Sequence, residues 1–277
     1  MVGRNHPQGD GGPFDLPGRP DQPGRPGGAD VALLLHGLTG SPFELRPVAD
    51  RLAQAGVRCV APVMPGHESP EALARTTWLD WVAGARDALR GLGEARRTLV
   101  VGSSMGALAA CALAAESPGR VDGLALLAPA LELMPMGKLA GWLSRHTPVA
   151  RFLPNIHKRG GSDVADRAMR AANPCMHAVP FRSVAQLEAF QKHVDAILPR
   201  VRCPALVVAG ALDGTVTVAG ARRMAGRLGG GARFLVLPRS RHLVGIDVER
   251  DRCAAEVAAF FDSIPAHGGG RARKTAR

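Results

Sequence analysis

The chain has 277 residues, 46% of them hydrophobic, and a formal net charge of +11. This composition is sufficient for a large buried core, in one α/β domain with an insertion or in two small domains. No apolar run reaches the length that a membrane span needs, and residues 1–30 contain no apolar stretch of the kind found in secretory signals. We therefore expect no transmembrane segment and a cytoplasmic location.

The positive charge is carried by dispersed arginines, and only residues 271–274 form a concentrated basic run. This pattern favours a solvated surface over a nucleic-acid interface, so we expect no nucleic-acid partner. The basic run allows weak contact with an anionic membrane. Five widely spaced cysteines without a C-x-x-C pair argue against a disulfide framework and a zinc site, so no metal is expected.

Both ends of the chain have compositions that are unfavourable for a packed core. Residues 1–29 are dominated by Gly, Pro, Asp and Arg, and we expect them to be mostly disordered because they offer little apolar surface to bury. Residues 266–277 are predicted to form a flexible basic tail. A single folded domain is therefore expected over residues 30–265.

The first predicted element is a strand over residues 31–36, a continuous apolar run typical of a strand buried on both faces of a parallel sheet. A loop over residues 37–40 follows. Ser41 then stands at an N-cap position, with Glu44 at the reciprocal position of a capping box. The pattern predicts a helix that begins there and ends at Gly56.

The rest of the chain alternates between apolar strands and amphipathic helices. Further strands are predicted at residues 57–61, 98–101, 123–128, 205–209 and 233–237. Helices are predicted at residues 77–92, 105–115, 184–197, 218–228 and 248–261. This alternation indicates an α/β fold with a doubly wound, mostly parallel sheet of six strands and helices on both faces. An additional strand within residues 13–29 stays open.

Residues 130–199 interrupt this alternation and are rich in Leu, Met, Trp and Phe. They follow the fourth predicted strand and so lie at the carboxyl edge of the sheet, where the sites of α/β proteins are built. We expect a small helical cap over the site. Most of its apolar side chains are expected to pack the cap on the core, and the remainder to line an acyl pocket.

The chemistry is expected to centre on residues 102–106, which read Gly-Ser-Ser-Met-Gly between a predicted strand and a predicted helix. The bare G-x-S-x-G pattern arises easily in a glycine-rich chain, but its position here is the one that a nucleophile elbow requires. Such a turn strains its central residue and brings strand and helix so close that the flanking positions must be nearly free of side chain. Ser104 is therefore the candidate nucleophile.

A nucleophilic serine needs a base within hydrogen-bond reach and an acid that holds the base. In the chain order Ser, Asp, His, the acid and the base each follow a strand. Asp213 and His242 occupy such positions, so they are the candidate acid and base. Asp195 and Asp247 are rival acids. The other histidines lie in the tails, the early loops or the insertion and are weaker candidates for the base.

Attack on an ester carbonyl creates an oxyanion, which two backbone N–H groups must stabilise. One donor is expected to be Met105, directly after the candidate nucleophile, and the other Leu38, in the loop after the first strand. Gly37 allows this loop to approach the site. His36 is expected to brace the loop through hydrogen bonds of its ring.

The pattern H-G-x-T-G-S-P-x-E-x-R that begins at His36, together with GSSMG, ALDGTV and SRH, resembles α/β-hydrolases of the bacterial carboxylesterase and monoacylglycerol lipase group. The resemblance covers roughly residues 31–263. It implies the α/β-hydrolase fold, no cofactor, and a small-molecule substrate that is a carboxylic ester with a short to medium acyl chain, including monoacylglycerols. The site residues that it implies are the triad Ser104, Asp213 and His242 and the oxyanion donors Leu38 and Met105.

Two positions depart from the pattern of that group. Glu68 stands where a glycine is common, and Ser103 stands where a bulky or aromatic residue often precedes the nucleophile. Both positions bear on the choice of substrate rather than on the triad. Thioester or amide hydrolysis, acyl transfer and perhydrolysis stay open on the same scaffold, as does a binding protein without activity. We expect a monomer or a homodimer.

Overall fold

Seven strands form one sheet at the centre of the molecule, in a computed structural model that describes residues 11–18, 29–147, 155–158 and 160–265. In chain order the described strands are β1 (Phe14–Leu16), β2 (Asp30–Leu35), β3 (Arg58–Ala61), β4 (Arg97–Ser103), β5 (Gly123–Leu127), β6 (Asn155–His157), β7 (Ala178–Pro180), β8 (Ala205–Gly210) and β9 (Ala232–Leu237). The main sheet has the order β1-β3-β2-β4-β5-β8-β9, while β6 and β7 pair separately.

Neighbouring strands of the main sheet run parallel, except that β1 is antiparallel to β3. Every residue of β2, β4, β5 and β8 is buried, as expected for strands covered on both faces. Leu35 pairs with Gly102, and Ser103 pairs with Leu127, so β2, β4 and β5 end at the same edge. The prediction of a doubly wound, mostly parallel sheet is confirmed.

The main sheet has one strand more than the six that the sequence predicts, because β1, within the residues 13–29 where the sequence leaves an additional strand open, adds an antiparallel edge. Phe14 and Leu16 pack against the apolar core, while Asp15 between them pairs with Arg58 of β3. Three alternating residues are too short a signal to stand out in a segment rich in Gly and Pro. The expectation of disorder therefore fails for β1. Residues 1–10, 19–28 and 266–277, to which the expectation of flexible ends also applied, lie outside the described part of the chain.

Helices cover both faces of the main sheet. In chain order those described are α1 (Arg46–Gln54), α2 (Pro70–Arg75), α3 (Trp78–Gly91), α4 (Met105–Glu116), α5 (Pro135–His146), α6 (Arg167–Ala172), α7 (Phe181–Ile197), α8 (Val218–Arg227) and α9 (Arg250–Ser263), with 3₁₀ helices at Pro42–Leu45 and Leu198–Arg200. Side chains of α1 and α9 share one core with Ala32 and Leu34 of β2, whereas α3, α4 and α8 share the other with Leu33 and Leu35. Successive residues of β2 thus enter opposite cores, as side-chain alternation along a strand requires.

Between β5 and β8 the chain forms the region that the sequence predicts as a cap. Its described elements are α5, the antiparallel pair of β6 and β7, α6 and α7. Phe190 of α7 stacks on Trp78 of α3 with 5.3 Å between ring centroids, which anchors α7 on α3. Among the helices described, none combines the length and the apolarity that crossing a bilayer requires.

Candidate active site

The candidate nucleophile sits in a strained turn between β4 and α4. Ser104 has φ of +54° and ψ of −112°, a conformation that residues with a Cβ rarely adopt. Strain of this kind costs roughly 1–3 kcal/mol and persists only where the surroundings enforce it. Here the N–H of Ser104 donates to the carbonyl oxygen of Leu127 at 2.8 Å, and its own carbonyl accepts from the N–H of Ala130 at 3.2 Å. Hydrogen bonds on both sides thus hold the turn at the carboxyl edge of the sheet.

The glycines that flank this turn allow β2, β4 and α4 to approach one another closely. A Cβ on Gly106 would lie 2.0 Å from the carbonyl oxygen of Leu35, and one on Gly102 would lie 2.4 Å from the carbonyl oxygen of Gly106. Both clashes are with backbone atoms, which cannot move aside as the end of a flexible side chain does. The need for glycine at both positions, expected from the sequence, is confirmed.

Gly106→Ala is expected to lower the free energy of unfolding by about 3 kcal/mol, because the added methyl group collides with the backbone of β2. Urea denaturation measures the change. Gly91→Ala is the matched control, since Gly91 ends α3 and a Cβ there meets nothing within 4 Å. This control is expected to keep the stability or raise it slightly. Equal stability of the two variants would contradict the close approach at Gly106.

The structure brings Ser104, His242 and Asp213 together from three separate loops. His242 Nε2 lies 2.9 Å from Ser104 Oγ, and His242 Nδ1 lies 2.9 Å from Asp213 Oδ2. The other carboxylate oxygen of Asp213 accepts from the N–H groups of Thr215 and Val216, both at 2.8 Å. Only 8% of the His242 side chain and 2% of the Asp213 side chain are exposed. The carboxylate is thus fixed with one oxygen facing the imidazole and is shielded from water.

Burial and charge act in opposite directions on this pair. Burial by itself lowers the pKa of His242, but the Asp213 carboxylate outweighs it, with help from Asp163 and Glu44, so the pKa is raised above its ordinary value. Burial likewise raises the pKa of Asp213, but His242 and the two N–H donors outweigh it, so this pKa is lowered. The arrangement keeps Asp213 ionised and stabilises a positive charge on His242.

The two rival acids are held elsewhere. Asp195 forms ion pairs with Arg223 and Arg227 of α8. In the part of the chain that the structure describes, neither rival carboxylate contacts His242. The oxygens of Asp247 are occupied by four backbone N–H groups, those of Ala165, Asp166, Arg241 and Val248.

Leu38 and Met105, the expected oxyanion donors, belong to the two loops next to Ser104. Leu38 follows β2 and lines the same cavity as Ser104, and Met105 is the first residue of α4. Within residues 11–18, 29–147, 155–158 and 160–265, neither N–H group donates to another atom of the protein. Two free N–H groups beside a nucleophile are what an oxyanion site needs. The assignment of these two donors stays a prediction.

His36 braces the loop that carries Leu38, as the sequence predicts. Its Nε2 accepts from the N–H of Met64 at 2.9 Å, which leaves the ring proton on Nδ1, and Nδ1 donates to the carbonyl oxygen of Gly37 at 2.9 Å. Burial, with His67 nearby, lowers the pKa of His36 to about 3. The ring is therefore neutral around pH 7 and serves as a fixed bridge.

The capping box expected at Ser41 and Glu44 does not form. The turn after Ser41 is the 3₁₀ helix Pro42–Leu45, and α1 begins only at Arg46. In this tighter turn Glu44 points inward, where its Oε2 accepts from the N–H of Gly37 at 3.2 Å. Ser41 Oγ makes no hydrogen bond with the described residues. The Glu44 carboxyl therefore belongs to the loop beside the candidate nucleophile and not to a helix cap.

A cavity of about 590 Å³ opens beside Ser104 and His242. Lys158, Asp163 and Thr215 place polar groups on one part of its wall. Most of the wall is apolar and comes from α5, β6, β7 and α7, with Leu139, Leu143, Ile156, Val179, Val184 and Leu187 among the lining residues. Among the described residues, no group of three or more His, Cys, Asp or Glu side chains is arranged to hold a metal ion. The shape and lining suit a hydrocarbon chain with a polar end.

Two charged residues of the cap region reach the site without any signal in the sequence. Asp163 accepts from the N–H of Gly214 at 2.8 Å and from Arg241 at 3.2 Å, and these are the chain neighbours of the candidate acid and base. Lys158 Nζ donates to Thr39 Oγ1 at 2.6 Å, in the loop of the expected oxyanion donor. Neither charged residue belongs to a motif, and only the folded cap brings them to the site.

Comparison with known sequences agrees with this architecture. The family model described as "Serine aminopeptidase, S33" matches residues 29–249 of the chain. A thermostable monoacylglycerol lipase from Bacillus sp. (strain H-257) is 28% identical over 232 residues, which cover 83% of this chain and 89% of that protein. The region matched by the family model includes all the strands of the main sheet except β1.

Solved structures have the same fold. One structure of the metagenome-derived lipolytic enzymes LipS and LipT aligns with a TM-score of 0.79 at 24% identity, covering 92% of this chain and 98% of that one. The monoacylglycerol lipase of Paleococcus ferrophilus aligns with a TM-score of 0.70 at 18% identity, covering 91% and 98%. The resemblance to α/β-hydrolases of the carboxylesterase and monoacylglycerol lipase group is confirmed. The chain is a hydrolase and belongs to the serine aminopeptidase S33 family.

Proposed function

We propose that this protein is a serine hydrolase that cleaves carboxylic esters through an acyl-enzyme on Ser104. The observation that carries the proposal is the hydrogen-bonded chain from Asp213 through His242 to Ser104, which ends at a largely apolar cavity. Acid, base and nucleophile stand in the relation that serine hydrolases need. Relatives named as monoacylglycerol lipases support the same class of reaction.

In the first half of the proposed reaction, His242 takes the proton from Ser104 Oγ as this oxygen attacks the acyl carbon. Asp213 stabilises the imidazolium that forms. The N–H groups of Leu38 and Met105 stabilise the oxyanion of the tetrahedral intermediate. When the intermediate collapses, His242 gives its proton to the departing alcohol, and the acyl group stays on Ser104.

In the second half, water replaces the alcohol. His242 takes a proton from the water as its oxygen attacks the acyl carbon, and the same N–H groups stabilise the second oxyanion. Collapse of this intermediate releases the carboxylic acid, and His242 returns the proton to Ser104. The proposed cycle uses only groups of the protein and water.

The lining of the cavity favours an ester with a hydrocarbon acyl chain. The apolar wall from α5 and α7 removes such a chain from water, and the polar groups of Lys158, Asp163 and Thr215 suit the hydroxyl groups of an alcohol such as glycerol. We therefore propose esters with short to medium acyl chains as substrates, including monoacylglycerols.

The rate is expected to increase with acyl length before it falls. kcat/KM for p-nitrophenyl esters should rise at least about tenfold from acetate to the best chain, because each buried methylene contributes about 0.8 kcal/mol. Rates from acetate to laurate measure the profile. Leu143→Trp, which fills the cavity, is expected to move the optimum to a shorter chain, whereas Trp142→Ala, on the exposed side of α5, is the control. A flat profile would remove the acyl pocket from the proposal.

A panel of substrates distinguishes ester hydrolysis from other reactions that Ser104, His242 and Asp213 could catalyse. A p-nitrophenyl ester, a monoacylglycerol, an acyl-thioester and an amino-acid anilide distinguish ester, thioester and aminopeptidase activity. The aminopeptidase reaction is disfavoured because the carboxyl groups of Asp163 and Glu44, which line the cavity, already accept hydrogen bonds from donors of the protein. A substrate α-ammonium would need a free carboxylate.

Membrane contact through the basic tail, a cytoplasmic location and a monomeric or dimeric state stay predictions.

The pH dependence of kcat/KM reports on His242. Burial lowers the pKa of His242, but the Asp213 carboxylate raises it by more, so the pKa lies above its ordinary value. Only the neutral imidazole can accept the proton of Ser104. kcat/KM is therefore expected to fall about tenfold per pH unit on the acid side, with a midpoint above the ordinary histidine pKa of about 6.5. Measurements over roughly pH 5 to 9, with thermal unfolding recorded at each pH, check this expectation. A midpoint below the ordinary value with the fold intact would argue against this base.

A further inference from the structure

We propose that Glu44 is a positioning residue of the oxyanion loop, residues 36–41. In this role its carboxyl holds the peptide unit between His36 and Gly37, so that the N–H of the following residue, Leu38, faces the reacting carbonyl. The inference rests on the proposed function, because it takes the Leu38 N–H as an oxyanion donor. It assigns a task to a side chain that the acid, base and nucleophile do not use.

The carboxyl of Glu44 connects the oxyanion loop to the nucleophile elbow. The residue is only 3% exposed, and its Oε2 accepts from the N–H of Gly37 at 3.2 Å. The hydroxyl of Ser103 faces the same carboxyl and acts to lower its pKa. Ser103 directly precedes the nucleophile, so one buried side chain lies between the two loops from which the oxyanion donors come.

The peptide unit after Gly37 is fixed as well. Its carbonyl oxygen accepts from the N–H of Gly40 at 3.1 Å and from His36 Nδ1 at 2.9 Å. The C=O and N–H groups of a trans peptide point in opposite directions, so the N–H of Leu38 points away from this turn. Glu44 thus holds the peptide unit before Gly37, and His36 holds the peptide unit after it. The N–H of Leu38, in the second of these units, is left free for a ligand.

The loop wraps tightly around the carboxyl. A Cβ on Gly40 would lie 2.0 Å from Glu44 Oε1, and a Cβ on Gly37 would lie 3.1 Å from the Cβ of Ser104. Both glycines are therefore places where the loop approaches another group closely. This explains the sequence pattern H-G-x-x-G followed by Glu in physical terms, since the glycines make room for the carboxyl and for the nucleophile.

Burial and the groups nearby act in opposite directions on the pKa of Glu44. Burial raises the pKa of Glu44, and the opposing effects of the Gly37 N–H, Lys158, His242 and Ser103 do not cancel the rise. The charged groups that face the carboxyl are Lys158 from the cap region and His242 from the loop after β9. The carboxyl therefore gives up its proton less readily than an exposed glutamate does, which limits the negative charge placed beside the oxyanion.

Two variants of similar side-chain volume distinguish the role of the Glu44 oxygen as a hydrogen-bond acceptor from the role of the side chain in filling space. Glu44→Gln keeps an oxygen for the N–H of Gly37, and Glu44→Met fills the same space without one. We expect Glu44→Gln to retain kcat for p-nitrophenyl butyrate within about threefold, and Glu44→Met to lower kcat about 100-fold with KM changed less than about threefold. Thermal unfolding shows whether each variant is folded.

A pair of inhibitors tests the oxyanion itself. A trifluoromethyl alkyl ketone adds to Ser104 and forms an oxyanion, whereas the matching methyl ketone binds without forming one. In Glu44→Met we expect the affinity for the trifluoromethyl ketone to fall about 100-fold and the affinity for the methyl ketone to stay within about threefold. A purely structural role would weaken both ketones alike.

The control is Glu188, another buried carboxyl, which pairs with Arg145 and does not line the cavity. Glu188→Gln and Glu188→Met are expected to leave kcat and both affinities unchanged.

If Glu44→Met does not fold, Glu44→Asp replaces it, because the aspartate side chain is one methylene too short to reach Gly37. Equal kcat in the Gln and Met (or Asp) variants, or equal weakening of both ketones, overturns the proposal. These outcomes can be told apart from a failure of the proposed function, because in that case the wild-type protein itself would not hydrolyse the ester.

Discussion

Ser104→Ala is expected to lower kcat for p-nitrophenyl butyrate by a factor on the order of 10⁶, the largest effect of any single substitution in this chain. The reason is that no other oxygen nucleophile lies 2.9 Å from His242 Nε2 in the described residues. Residual catalysis of about 10³-fold over water is expected from the oxyanion donors and the cavity alone. Single-turnover and steady-state rates measure both quantities.

The same variant must stay folded for this result to concern chemistry. Ser104→Ala keeps the strained φ of +54°, whereas Ser104→Gly relieves it. We therefore expect Ser104→Gly to be equally inactive but about 1 kcal/mol more stable than Ser104→Ala. A fluorophosphonate probe should label wild type once and neither variant. Retained ester hydrolysis in Ser104→Ala, or labelling of another residue, would show that the nucleophile has been assigned wrongly.

The parts of the fold that are predictable from sequence are those whose signal is local and long. The strands β2, β4, β5 and β8 read as unbroken apolar runs because both of their faces are buried, and their predicted positions differ from the observed ones by a few residues at the ends. By contrast, β1 has three residues and gains its order from pairing with β3, which lies far along the chain. α2 has six residues and no long apolar pattern.

The same distinction applies to the candidate site. Ser104 lies in a motif, and Asp213 and His242 each follow a strand, so chain order alone is enough to nominate them. Asp163 and Lys158 reach the site through the folding of the cap, which has no repeating pattern.

Glu44 is a different case, because the sequence marks the residue but suggests the wrong partner. A glutamate three residues after a serine is typical of a capping box, yet the 3₁₀ turn Pro42–Leu45 and the close approach of Gly40 direct the carboxyl to the N–H of Gly37. Local patterns thus identify which residues matter near the candidate nucleophile. The tertiary contacts decide what each of them holds.

Asp213→Asn is expected to lower kcat about 10⁴-fold while leaving the fold intact. The carboxylate oxygen that accepts from the N–H groups of Thr215 and Val216 must stay an oxygen in the variant, so the new amide N–H₂ faces His242. An N–H donor at that position forces Nδ1 of His242 to accept, and the ring proton then moves to Nε2, which faces Ser104. An imidazole in this tautomer cannot take the serine proton.

The rival acid Asp195 supplies the matched control for that substitution. Asp195→Asn also removes one negative charge, but from the ion pairs with Arg223 and Arg227, so kcat is expected to stay within about twofold. The two variants should also differ in pH dependence. Burial lowers the pKa of His242, and the charge of Asp213 outweighs this effect. Asp213→Asn removes that charge, so the acid midpoint of the pH profile is expected to move to lower pH. Asp195→Asn should leave the midpoint in place. A loss of less than about tenfold in Asp213→Asn, or an equal loss in Asp195→Asn, would mean that a different group orients the histidine.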